Sequence, residues 1–184
     1  MSLKRFGILI LTVLGFTTAS QAQSEKTISI TLSPIHLAFP IVEVTGEYAL
    51  APQFGVAGIF GYGSMTVDNS SGKSVKMPVL ELGGQAAYYV LGSFRHGMQL
   101  GGELLWIKVS PPKDQGVTVA ANGVAAGPFL GYKWVADFGL TLFIQGGYEF
   151  LFAQAKATDA TGREIQSSAD GGVPLLNLNL GWSF

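Results

Sequence analysis

From residue 27 onward, apolar and polar residues alternate in runs separated by Gly, Pro, Ser, Asn and Asp, the pattern of strands with one apolar face. Eight strands are predicted, near residues 27–34, 40–50, 53–64, 76–91, 95–108, 117–135, 138–154 and 173–184. The seventh is the clearest. Phe138, Leu140, Leu142, Ile144, Tyr148, Phe150 and Phe152 share one parity, and Gly139, Thr141, Gln145, Gly147 and Glu149 the other, with Phe143 out of place. The last is nearly as clean: Leu176, Leu178, Leu180, Trp182 and Phe184 stand opposite Asn177, Asn179, Gly181 and Ser183. Helical spacing fits neither.

Alternation does not say which face is inside. An apolar interior would force the large side chains of all eight strands, including all three Trp, into a lumen that eight strands make only just wide enough for side chains. It would also leave an exterior of Gly, Ala, Ser and Thr with few charges to solvate it. The inverted arrangement removes both difficulties, with small and polar residues inward and apolar ones facing lipid. Charge sorting agrees. Five of the seven Glu (Glu43, Glu47, Glu81, Glu103 and Glu149) fall within strands, all on the small polar parity, as expected where charge on a lipid-facing surface is costly. Aromatic residues collect near strand ends on the apolar parity: Tyr48, Phe54, Tyr88, Trp134, Phe138, Trp182 and Phe184 toward one rim, Trp106, Phe150 and Phe152 toward the other. The fold class expected is therefore all-β, an eight-stranded antiparallel transmembrane β-barrel of outer-membrane type, closed because lipid offers no partner to open edges.

Connection lengths fit an even-stranded barrel with both termini periplasmic. Short turns fall at Ala51-Pro52, Gly92 to Phe94 and Ala136-Asp137. Longer outer connections run near 65–75, 109–116 and 155–172, and the first, Pro34 to Phe39, is brief. Ahead of the strands, Lys4-Arg5, the 11-residue apolar run Phe6 to Phe16 and small residues at Ser20 and Ala22 make a secretory signal peptide over residues 1–22. The barrel domain then occupies 23–184, leaving no residues for a linker or further domain. The apolar run is shorter than the roughly 20 residues a helical span needs.

Composition narrows the function. Of 184 residues, 48% are hydrophobic and only 12% charged, well below the roughly 25% of ordinary soluble domains. Loss of Lys4 and Arg5 leaves 9 basic against 12 acidic residues, a net charge near -3, so nucleic acid is no expected partner. With no cysteine, thiol catalysis and Cys-type zinc sites are excluded.

The ending Leu176 to Phe184, with Leu178, Leu180, Trp182 and a final Phe184, resembles the C-terminal signal read by the outer-membrane assembly machinery. With the strand pattern upstream, the chain resembles the small outer-membrane barrels of the OmpA transmembrane domain, OmpX and OmpW type. That resemblance covers almost the whole chain. It implies a Gram-negative cell envelope, with outer-membrane lipid and the assembly machinery as partners, and transfers no functional residue. It departs from full-length OmpA in showing no periplasmic peptidoglycan-binding domain.

Inside the barrel, Glu43, Glu47, Glu81, Gln85, Glu103, Lys133, Gln145 and Glu149 are expected to form a lumen polar network. Lys133 is its one clearly inward strand cation, and with Arg95 it lies low. The surplus negative charge then needs protons, water, or pairing with Arg95 or a loop lysine such as Lys76. A packed network is the expectation; the alternative is a cation site among the higher glutamates, whose oxygens would suit Ca²⁺ or Mg²⁺, although no calcium-loop spacing is present. No catalytic residue, cofactor or metal is assigned. The glycine runs Gly55, Gly61, Gly63 and Gly123, Gly127, Gly131 have strand spacing and are expected to make room for larger inward side chains.

Three functions follow in order. The first is a structural or surface-interaction role with a filled lumen and no porin activity, because water-filled channels begin at larger strand numbers. The second is a narrow channel or small apolar-ligand conduit of the OmpW kind. The third, a lipid A-modifying enzyme, would need Ser33 and His36 to pair at the outer rim, and residues on opposite strand faces rarely aim at one atom.

Overall fold

The computed structural model describes residues 26–38, 40–68, 74–110, 118–158 and 164–184. The signal-peptide segment 1–22 and most of the third outer connection lie outside them. Eight antiparallel strands, each bonded to its sequence neighbours, close into one barrel. They are β1 (Ile28–Leu32), β2 (Ile41–Ala51), β3 (Phe54–Asp68), β4 (Ser74–Gly92), β5 (His96–Val109), β6 (Thr118–Val135), β7 (Leu140–Thr158) and β8 (Glu164–Ser183), with one short helix, α1 (Pro34–Leu37), after β1.

Closure is made by β1 against β8, from Ser29↔Ser183 to Leu32↔Leu180. The backbone N–H of Thr27 adds a bond to the Phe184 carbonyl at 2.8 Å. Both ends of the barrel segment thus meet at one rim, termed lower here, together with the three short turns. Gly92 (φ 82°) and Gly139 (φ 116°) take the left-handed backbone that two of those turns require. The upper rim carries the longer hairpins.

Strand parity agrees with the sequence. Ile30, Val42, Phe60, Leu82, Leu100, Leu130, Ile144 and Leu176, one from each strand, are exposed on the outside, whereas Ser29, Glu43, Glu81, Gln85, Gln99, Glu103, Lys133, Gln145, Glu149 and Asn177 are buried inside. The lower aromatic rim is continuous enough for ring contacts, with Phe138 5.7 Å from Trp182 between centroids.

Three expectations need correction. The lumen is not filled by small and polar residues alone: Ile59, Leu105 and Ala125 form one inward apolar cluster, and Ala87, Phe129 and Phe143 another. Phe143, which breaks the alternation of its strand, does so because it points into the second cluster. The inward glycines supply the volume. A Cβ on Gly101 would meet the Phe129 ring, and one on Gly131 the Phe143 ring.

The second correction concerns the fourth outer connection. Residues 164–172 are strand, paired with β7 from Thr158↔Glu164 through Phe150↔Gly172. Their sequence hides this because the ribbon projects beyond the apolar band. Residues 164–174 are all exposed, so no buried face imposes a period of two. The third lies after β1. Pro34 opens a helical turn, with the Ala38 N–H bonded to the Ile35 carbonyl at 3.1 Å, and β1 stops at Leu32 rather than 34. Proline lacks the N–H a strand would use and suits the first turn of a helix.

Candidate lumen site

The inward polar groups separate into a lower and an upper set. At the bottom, Lys133 of β6 is 1% exposed, and its Nζ donates to Glu47 Oε2 at 2.6 Å and to Ser29 Oγ at 2.9 Å. The other oxygen of Glu47 accepts from the Tyr89 hydroxyl at 2.8 Å and from Gln99 Nε2 at 3.5 Å. Phe94, buried in the turn between β4 and β5, lies beneath the ammonium, 3.3 Å from ring centroid to Nζ. A charge that deep in a low-dielectric interior is tolerable only when paired and hydrogen-bonded, and Lys133 has both along with a cation–π contact. Arg95 does not join the upper glutamates by its carboxylate pair: it bonds Asp137 at 2.7 Å across the lower turns.

The upper set is different in kind. Glu103 accepts from Gln85 Nε2, which also reaches Gln145 Oε1 at 3.5 Å. Glu149 lies against Glu103, and the charges of Glu43, Glu81, Glu103 and Glu149 act on one another. Among the described residues no Lys or Arg is bonded to any of these four. Lys76, one candidate partner, lies on the exposed parity of β4. Glu81 Oε2 and Glu149 Oε1 are buried with no hydrogen-bond partner. Gly61, across from Glu81 on β3, has no side chain because a Cβ there would meet that same Glu81 oxygen.

The turn of α1 brings His36 down onto this set, against β2 and β8. Its Nδ1 is 2.8 Å from Ser33 Oγ and its Nε2 3.5 Å from Glu43 Oε2. Ser33 and His36 therefore do converge, against the expectation drawn from strand geometry, because three residues along a helical turn place both side chains on one side. Ser33 Oγ donates to Asn177 Oδ1 at 2.7 Å, and Asn177 Nδ2 reaches Glu43 Oε1 at 3.4 Å. A single relay thus runs from the imidazole through β8 to the far oxygen of Glu43.

All eight network residues named from the sequence line the lumen, but they do not form one network: Glu47 and Lys133 belong below, and Glu43, Glu81, Gln85, Glu103, Gln145 and Glu149 above. Sequence reasoning missed Tyr89, Phe94, Ser33, His36 and Asn177 as contributors. For Tyr89 a signal exists. In the pair Tyr88-Tyr89, alternation requires one ring to point inward.

No family model matches the chain, and no curated protein does. Among solved structures, the chain is similar to a major outer membrane protein from Thermus thermophilus, at 13% identity and a TM-score of 0.49 over 85% of this chain and 99% of that one. The strand ring stands on the hydrogen-bond ladder of this chain itself.

Proposed function

We propose that the chain is an outer-membrane β-barrel with a structural or surface-interaction role and a plugged, non-conducting lumen. The observation that carries this reading is the sorting of side chains by face. Most large apolar side chains of every strand are exposed, while Glu43, Glu81, Gln85, Gln99, Glu103, Lys133, Gln145, Glu149 and Asn177 are buried, the reverse of a water-soluble barrel and the arrangement hydrocarbon favours. The terminal rim and short turns are periplasmic and the long hairpins outside in this reading, by the usual asymmetry of short inner turns and longer outer loops. Lipid meets the apolar band, and the assembly machinery would read Leu178, Leu180, Trp182 and Phe184 before insertion. The upper β7–β8 ribbon, polar and exposed, offers the surface for interaction.

Two features favour a plug over a conduit. The Lys133–Glu47 pair with Phe94 beneath it spans the lower mouth, and the Phe129 and Phe143 rings cross the middle, 6.4 Å apart between centroids. Ser33 is a poor nucleophile in this arrangement, since its only proton is directed to Asn177 and it is 1% exposed, which favours a non-enzymatic role. Planar-bilayer recording on pure, refolded protein is the test: silence is expected, and a reproducible single-channel current would overturn the plugged reading. The membrane reading has its own check. Leu130→Arg, in the middle of the exposed band, should cost about 2 to 4 kcal/mol of unfolding free energy in lipid, and a cost near zero would argue for solvent on that face.

A further inference from the structure

We propose that His36, Glu43 and Glu81 bind one divalent transition-metal ion of the zinc class at the upper mouth of the lumen. Their ligand atoms lie within 4.8 Å of one another, and the hydrogen bonds around them leave lone pairs, not protons, pointing inward. Ser33 has one hydroxyl proton, and Asn177 Oδ1 takes it at 2.7 Å. The 2.8 Å contact between Ser33 and His36 must then be donated by the imidazole Nδ1–H. That assigns the tautomer with a free lone pair on Nε2, the nitrogen that faces Glu43. Asn177 also holds Glu43 Oε1 at 3.4 Å, turning Oε2 toward the imidazole.

Glu81 supplies the independent sign of a missing partner. It is 6% exposed, yet its Oε2 has no donor, and a buried acceptor left without one is costly. Among the described residues, Glu81 Oε2 thus stands without a donor, in a carboxylate that lies within 4.8 Å of the His36 and Glu43 ligand atoms. An ion pair from protonated His36 fits poorly: charge-assisted N–H to carboxylate bonds run about 2.7 to 2.9 Å, and the Nε2 to Oε2 distance is 3.5 Å. That distance fits a different role. Two ligands of a tetrahedral ion with bonds of about 2.0 to 2.2 Å are roughly 3.4 Å apart.

Donor chemistry selects the class of ion. Imidazole nitrogen with two carboxylates suits zinc and its first-row neighbours, whereas Ca²⁺ and Mg²⁺ prefer all-oxygen shells. Ser33 and Asn177 do for this site what outer-shell partners do for metal-bound histidine and carboxylate generally, fixing the tautomer and the carboxylate rotamer. His36 keeps 25% of its side chain exposed, so an ion arriving from the outer side reaches Nε2 without crossing the plug.

The test uses the full chain refolded in detergent, stripped with chelator and titrated with Zn²⁺ by calorimetry and with Co²⁺ by visible absorption. One ion per barrel and a tetrahedral Co²⁺ band are expected. Affinity should fall at least 100-fold in Glu81→Gln and in His36→Ala, and about 10-fold in Ser33→Ala, as for other outer-shell changes. Asp137→Asn, a carboxylate lost at the remote lower turn, should leave it unchanged. Heat-modifiable migration on gels shows which variants fold; if Glu81→Gln does not, Gly61→Ala displaces the same oxygen with a methyl group and should weaken binding alike. Failure to take up Zn²⁺ at millimolar concentration, uptake equal in all folded variants, or preference for Ca²⁺ or Mg²⁺ would each overturn the assignment.

Discussion

The two halves of the lumen treat buried charge in opposite ways. Below, one carboxylate is surrounded by donors: the Lys133 ammonium, the Tyr89 hydroxyl and the amide of Gln99 all point at Glu47. Above, four carboxylates share the donors of Gln85 and Asn177 and otherwise face one another. The lower set is complete within the chain itself. The upper set is a group of acceptors held close together, and such crowding calls for protons, water or a cation among it. One barrel thus contains a self-paired polar set below and, above it, a cluster of crowded acceptors.

The sharpest way to break the comparison is to leave each half with an unmatched carboxylate. Lys133→Met strips Glu47, whose side chain is only 11% exposed, of its cation, and breaking a buried pair from one side costs about 3 to 5 kcal/mol. Urea unfolding in lipid vesicles at neutral pH measures it. Adding Glu47→Leu should return much of the loss, because replacing both members of a buried pair with apolar groups is often nearly neutral. A double variant as unstable as the single one would mean that Tyr89 and Gln99 depend on Glu47 more than Lys133 does.

Above, the sign should reverse. Glu81→Gln in chelator removes one of several like charges and leaves an amide that can donate to Glu43, so the metal-free barrel should gain on the order of 1 kcal/mol. A loss instead would show that Glu81 already has a partner in the folded chain and would merge the two halves into one kind of network.

These two halves were unequally legible in the sequence. Glu43, Glu81, Glu103 and Glu149 could be placed inside and high, and Lys133 low, because strand parity and direction depend on counting alone. The pairing of Lys133 with Glu47 could not, since β6 and β2 are not neighbours in the ring and meet only across the lumen. Counting also puts Phe129 and Phe143 inward, but the room for their rings comes from Gly101, which faces Phe129, and Gly131, diagonal to Phe143. The sequence puts Ser33 at a strand end and His36 in the first outer connection, on opposite parity. A single helical turn begun by Pro34 reverses that geometry, and with it the chemistry of the upper mouth. The polar ribbon 164–172 escaped for the converse reason: with both faces exposed, its strand leaves no pattern to read.

The smallest effect belongs to the lower rim, where the limits of the lower network can be drawn. Arg95 bonds Asp137 at 2.7 Å, but the carboxylate side chain is 95% exposed, and exposed pairs contribute about 0 to 1 kcal/mol. Phe94, next to Arg95 in the chain, packs its ring against the Lys133 ammonium, so the turn should close the barrel by that packing and not by relaying charge from the rim. Arg95→Ala should therefore shift stability by less than about 1 kcal/mol, and the shift should shrink further in high salt, which screens surface charges far more than buried ones. A salt-insensitive loss approaching that of Lys133→Met would place Arg95 inside the lower network and extend that network down to the turns.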